Sequence, residues 1–201
     1  PKTMDEAEKA KTRFIFEELF LFSLCVRILK LRVRKLDAPQ LKPVDLTPFL
    51  NRIPYALTGA QKRVIRECFD GVRRPWPMSR LVQGDVGSGK TVIAAAVAYL
   101  TAKNGKQTAL MVPTEILAMQ HYESLSALLS PCGIRVELLT GSMRATEKRD
   151  LLLRLEAGQT DFIIGTHALI QKSVKFRDLA VAIADEQHRF GVQQRAAVQE
   201  K

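Results

Sequence analysis

The run Gly84-Asp85-Val86-Gly87-Ser88-Gly89-Lys90-Thr91 constrains this chain more than any other stretch. It fits the spacing GxxxxGK[ST], with the apolar pair Leu81-Val82 before it and a helical pattern over residues 92–100 after it. Strand, glycine-rich turn and helix in that order bring backbone N–H groups and a helix N-terminus to one point, a seat for phosphate. The Lys90 ammonium then reaches the β and γ phosphates, and the Thr91 hydroxyl is placed to ligate Mg2+. The loop by itself leaves ATP and GTP equally open.

Around it, short apolar runs alternate with helical patterns. Strands are predicted at about 80–83, 107–112, 134–139, 160–165 and 179–184, and helices at about 89–103, 114–130 and 143–157. Alternation of this kind implies βαβ units, hence an α/β fold with a parallel sheet and helices on both faces. Thr58 is placed to cap a further helix running to about Asp70.

Residues 1–38 read differently. Ile15, Leu19, Phe22, Val26, Leu29, Val33 and Leu36 recur in steps of three and four, the seam of a long amphipathic helix whose basic end, Arg32, Arg34 and Lys35, suits the negative pole of its dipole. Such a helix serves as a strut or as a contact for a polyanion. Pro39, Pro43, Pro48 and Pro54 then mark residues 39–56 as a linker. The region 57–201 is the nucleotide-binding domain.

The last predicted strand, residues 179–184, stops at Asp185-Glu186-Gln187-His188. In a parallel sheet that end lies on the same rim as the phosphate loop. Asp185 can hold Mg2+ there through its water shell, and Glu186 can orient and deprotonate an attacking water. His188 follows both acids directly, where it can couple nucleotide state to polymer contact.

A formal charge of +10 favours polyanionic partners, since Lys and Arg neutralise phosphates and release counterions. Pro113-Thr114, Thr140-Gly141-Ser142 and Thr166 each close a predicted strand, so their hydroxyls and N–H groups would face outward from one rim, either as helix caps or as a grip on sugar and phosphate. Cys25, Cys68 and Cys132 are scattered without a CxxC pair, which favours neither a zinc site nor a disulfide framework and fits a reducing cytoplasm. Residues 14–29 are interrupted by Glu17, Glu18 and Arg27, too often for a membrane span.

Taken in order, these segments resemble the superfamily 2 helicases, and among them the bacterial branched-DNA translocases. Leu57-Thr58-Gly59-Ala60-Gln61 is similar to the Q motif, residues 84–91 to motif I and Pro113-Thr114-Glu115-Ile116-Leu117-Ala118 with Gln120-His121 to motif Ia. Thr140-Gly141-Ser142 and the segment from Gly165 to Gln171 resemble the next two DNA-contacting motifs, and Asp185-Glu186-Gln187-His188 with Arg189-Phe190-Gly191 resembles motif II.

The resemblance implies a RecA-like P-loop NTPase domain that uses ATP and Mg2+ to drive translocation on branched duplex DNA, in a bacterial cytoplasm. It implies that Gln61 reads the adenine edge with Tyr55 as stacking neighbour, and that Pro113, Thr114, Thr140, Gly141, Ser142, Thr166 and His167 touch DNA. Transcription-repair coupling translocases are the near alternative. They usually carry Phe where Ser88 stands and a second Glu where Gln187 stands. A nucleotide-responsive DNA-binding module without turnover is the other.

Opening at Pro1, the chain is expected to begin inside a longer protein. The family pattern adds a wedge domain before the strut and a second RecA-like lobe carrying an arginine finger. Residues 1–201 alone are therefore expected to bind MgATP weakly, to hydrolyse it negligibly and to expose a sheet edge.

Overall fold

The computed structural model describes residues 3–33, 37–85 and 87–186. The heptad-like pattern at the start gives one uninterrupted helix, α1 (Met4–Val33), with Asp5 and Glu6 at its positive end and ion pairs Lys9–Asp5 and Arg13–Glu17 one turn apart. Its seam stays in solvent: Phe14, Phe16, Leu19 and Phe22 are each more than half exposed. Arg34, Lys35 and Leu36, read as the end of this helix, lie outside the described residues.

The proline-rich segment is docked rather than slack. Pro48 starts the four-residue helix α2 (Thr47–Leu50), which buries Phe49. After α3 (Gly59–Val72) and α4 (Lys90–Lys103), the reason becomes visible: the Phe49 ring packs on Tyr99 of α4 at 5.4 Å, and the Tyr99 hydroxyl donates to the Asp45 carbonyl at 3.2 Å. Asn104 completes the seam, accepting from the Lys42 N–H and donating to the Lys42 carbonyl. A buried phenylalanine in such a contact stabilises by about 3–5 kcal/mol against its loss.

Four parallel strands follow: β1 (Gln107–Met111), β2 (Val136–Leu139), β3 (Phe162–Gly165) and β4 (Leu179–Ala184), in the spatial order β2-β3-β1-β4. Between them lie α5 (Glu115–Leu129) and α6 (Ala145–Glu156). Alternate side chains of each strand enter different cores, as a period of two requires. Leu110, Phe162, Ile164 and Val181 join α3, α4 and α5 on one face, while Ala109, Met111 and Ile163 join Leu151 and Leu155 of α6 on the other. The α/β reading with helices on both faces therefore holds, and the helix starts agree within two residues.

One expected strand is missing. Residues 80–83 lie outside the sheet: Leu81 is 74% exposed, Arg80 is drawn away to Glu67 of α3, and only Val82 packs against the core. β2 and β4 each keep an unpaired side, yet residues 80–83 pair with neither. A segment with one inward apolar residue gains too little burial to form an edge of its own.

Candidate functional site

The strand register decides where the chemistry sits. Leu139 pairs with Gly165, Gly165 with Met111, and Met111 with Ala184, so all four strands end level. The residues that follow therefore open onto one rim: Thr140-Gly141-Ser142, Thr166-His167, Pro113-Thr114 and Asp185-Glu186. This is the C-terminal rim at which open α/β sheets bind ligands.

The phosphate loop meets that rim through α4, which packs on β1 and β4. Gly87 and Gly89 have φ of 79°, a left-handed turn that L side chains rarely adopt, and Gly89 caps α4 without any side-chain bond. The first amides of α4 are thus left for an anion. Lys90 donates instead to the loop's own Gly84 and Asp85 carbonyls, at 2.6 and 2.8 Å. Ser88 and Asp85 are exposed and Thr91 is half-buried in the first turn. Val86 lies outside the described residues.

Gln61 ties this loop to α3. Its side-chain carbonyl accepts from the Thr58 N–H at 2.9 Å, the Thr58 hydroxyl accepts from the Gln61 N–H, and the Gln61 amide donates to the Ser88 carbonyl at 3.0 Å. The first two bonds form a capping box. The third leaves no room beside Gly89, where a Cβ would fall 2.3 Å from the Gln61 amide nitrogen. Tyr55 stands ahead of α3 and is 54% exposed.

Asp185 and Glu186 directly follow β4, where the charge of Lys90 from the phosphate loop acts on Asp185. His121 of α5 holds Asp185 below the usual carboxylate range, chiefly through a hydrogen bond with Nε2 3.0 Å from Oδ2. Burial opposes this, while the Glu186 N–H and the charge of Lys90 reinforce it. Glu186 has φ of 47°, a left-handed conformation costly for a non-glycine residue and one that clusters at functional sites. Its N–H donates to Asp185 Oδ1 at 2.9 Å. His188 lies outside the described residues.

Among the described residues no cluster of three or more His, Cys, Asp or Glu side chains could hold a metal. A Mg2+ ion keeps several waters and would need only one or two protein ligands beside phosphates. The available donors are Thr91 and Asp185.

On the rest of the rim two side chains, those of Thr140 and Thr166, differ from the outward orientation predicted for them. Thr114 is exposed and caps α5, accepting from the Leu117 N–H, and His167 is exposed. Thr140 and Thr166 instead turn inward, at 6% and 2% exposure, because each directly follows a buried strand end. The Thr166 hydroxyl has no hydrogen-bond partner among the described residues. Gly141 and Ser142 stay exposed, yet their N–H groups donate to Glu115. Pro113 is half-buried.

Two polar residues of this site had no role in the sequence reading, although both fall inside the motif Ia segment. His121 sits two turns into α5, where the spacing gives no sign that Asp185 lies opposite. Glu115 follows the helix cap, a position where an acid normally serves the helix dipole.

The sequence model of the DEAD/DEAH box helicases matches residues 58–201. Proteins described as ATP-dependent DNA helicase RecG are similar over nearly all of this chain. The one from Bacillus subtilis is 44% identical over 100% of it, and the one from Staphylococcus aureus strain Mu50 is 47% identical over 100%. The chain spans 30% of the length of each. The structure of RecG bound to a three-way DNA junction matches 95% of the chain and 26% of its own, with a TM-score of 0.87 and 42% identity. The UvsW helicase of bacteriophage T4, at 15% identity and a TM-score of 0.56 over 80% of the chain, shares the fold.

Proposed function

The chain belongs to the DEAD/DEAH box helicase family, and from that membership we propose that it is the ATP-binding lobe of an ATP-dependent DNA helicase remodelling branched duplex DNA such as stalled forks and Holliday junctions. The observation that carries this reading is the level register of the four strand ends, by which Asp185 and Glu186 share a rim with the loops after β1, β2 and β3 that the reading assigns to DNA. The similarity to RecG over the whole chain favours this reading over a transcription-coupled translocase.

In this scheme Lys90 leaves the Gly84 and Asp85 carbonyls and turns to the β and γ phosphates, which the amides of the loop from Gly84 through Val86 to Thr91 also hold. Thr91 would ligate the magnesium, and Asp185 would hold it through its water shell. Bound MgATP supplies a phosphoryl group whose charge the ion spreads and neutralises. Glu186 orients a water and takes its proton. Gln61 and Tyr55 flank the adenine, and His188 links the acids to the DNA side. Pro113, Thr114, Gly141, Ser142 and His167 hold the sugar-phosphate backbone without reading sequence, with Thr140 and Thr166 buried behind them as supports of those loops. A second RecA-like lobe and a wedge domain of the same protein complete the machine.

The test is a pair of variants in the full-length protein. Glu186→Gln should keep binding of a fluorescent ATP analogue while DNA-stimulated phosphate release falls by about 10² to 10⁴, and Lys90→Ala should lose the binding itself. Turnover near the parental rate in Glu186→Gln would remove the proposed base.

A further inference from the structure

Glu115 occupies the amides that a DNA phosphate would need. Its Oε1 accepts from the Gly141 N–H at 2.7 Å and the Ser142 N–H at 3.2 Å, and its Oε2 accepts from the Ser142 hydroxyl at 2.7 Å. Two adjacent backbone donors and one hydroxyl around a single carboxylate form an anion seat, of the kind successive N–H groups make at a turn. Here the anion comes from the chain itself, from the first residue of α5.

A backbone N–H has one hydrogen. It cannot make a full bond to the Glu115 carboxylate and to a phosphate at once. If the loop at residues 140–142 grips DNA, as the proposed function has it, the carboxylate has to leave. A place to leave to exists, since the N-terminus of α5 favours an acid at that position and the charge of His167 also acts on it.

We propose that Glu115 is an internal phosphate mimic that closes the Gly141-Ser142 seat in the absence of DNA, and that the DNA backbone binds there by displacing it. Glu115 then sets how strongly this loop holds duplex DNA and delays engagement until a phosphate is positioned to compete. Since Glu115 adjoins Thr114 at the start of α5, its release also frees the first turn of the helix that carries His121 to Asp185. The inference rests on the DNA reading of the loop.

The experiment compares Glu115→Asp, Glu115→Gln and Glu115→Ala with the parent in the full-length protein, using a fluorescein-labelled three-way DNA junction at fixed salt. Aspartate keeps the charge but is one methylene too short for the clasp. Displacement predicts that Glu115→Asp and Glu115→Ala both bind the junction roughly tenfold tighter, one such step in affinity being about 1.4 kcal/mol, with loss of hydrogen-exchange protection at Gly141 and Ser142. Glu115→Gln, still able to accept from one amide, should fall between the parent and Glu115→Ala.

Weaker binding in Glu115→Asp and Glu115→Ala would overturn the proposal in favour of a brace that shapes the loop, leaving its DNA contact intact. Tightening in Glu115→Ala and Glu115→Gln but not in Glu115→Asp would reduce the effect to charge repulsion and also overturn it. Unchanged affinity in all three, and in Ser142→Ala, would remove the loop from the DNA site altogether.

Discussion

Nε2 of His121 lies 3.0 Å from Oδ2 of Asp185, joining the second turn of α5 to the end of β4. Thr114 caps the same helix, so one element joins the proposed polymer contact to the proposed magnesium ligand. With a magnesium ion held at Asp185, His121 would orient the carboxylate without touching the ion. Partners of this kind typically cost about 10- to 100-fold in metal affinity or activity when removed. His121→Ala should therefore raise the Mg2+ concentration for half-maximal binding of a fluorescent ATP analogue by roughly tenfold or more, and His121→Gln, which can still donate to Oδ2, should recover part of it. A Mg2+ dependence identical to the parent in His121→Ala would leave the contact without a role in the site.

Gln61 has two separable duties. Its side-chain carbonyl closes the capping box with Thr58, and its amide holds the Ser88 carbonyl of the phosphate loop. Thr58→Ala removes the cap but not the tether, and should cost about 1 kcal/mol of stability with nucleotide affinity little changed. Gln61→Ala removes the tether and the side-chain half of the box while the Thr58 hydroxyl keeps its bond to the backbone N–H of residue 61, so it should cost less stability than Thr58→Ala and also weaken binding of an ATP analogue. Thermal unfolding and nucleotide titration on the two variants separate the duties, and equal nucleotide affinities would show that the tether to Ser88 contributes nothing to binding.

The long elements were legible because their signals are local. Thr58 with Gln61 three residues on is a capping box in sequence as in space, and the glycines at 87 and 89 sit where the turn needs positive φ. Long-range pairing was not legible. Leu81-Val82 has strand chemistry, yet only Val82 finds the core and the segment joins no strand, a balance of burial that no local pattern records. The proline-rich segment looked like a linker because prolines forbid a long helix, while its docking on Tyr99 and Asn104 depends on partners more than fifty residues away. The inward turn of Thr140 and Thr166 and the clasp of Glu115 on Gly141 follow from strand register, again a property of the sheet as a whole.

Gly165 is where that register is tightest. A Cβ at this position would lie 2.5 Å from the Leu139 carbonyl oxygen of the neighbouring strand and 3.1 Å from the Leu169 side chain. The first contact is backbone in a paired strand and cannot swing away. Gly165→Ala should therefore push β2 from β3 and cost about 1–3 kcal/mol as overpacking does, read as a fall in Tm of roughly 2–4 °C for each kcal/mol in a domain of this size. Because Thr140 and Thr166 begin one residue beyond this contact, binding of a labelled DNA junction should weaken as well. A variant with the parental Tm would mean that the sheet relaxes more freely than its pairing allows.

The Glu115 clasp also predicts an acid dependence whose sign is fixed. The Ser142 hydroxyl is the largest of the groups that hold this carboxyl below its ordinary value of 4.5, followed by the Gly141 and Ser142 N–H groups and the charge of His167, against the opposing effect of burial. All of these donors favour the ionised form in the folded chain. A folded-state value below the unfolded one means that the clasp contributes its full stability above about 4.5 and loses it as the pH falls through the lower folded value. The carboxyl carbon of Glu115, followed by NMR, should titrate with a midpoint below 4.5, and Ser142→Ala should move that midpoint upward by removing the largest contribution. A parental midpoint at or above 4.5 would mean that the carboxylate spends little time on the loop, and the anion seat at Gly141 and Ser142 would then stand open before DNA arrives.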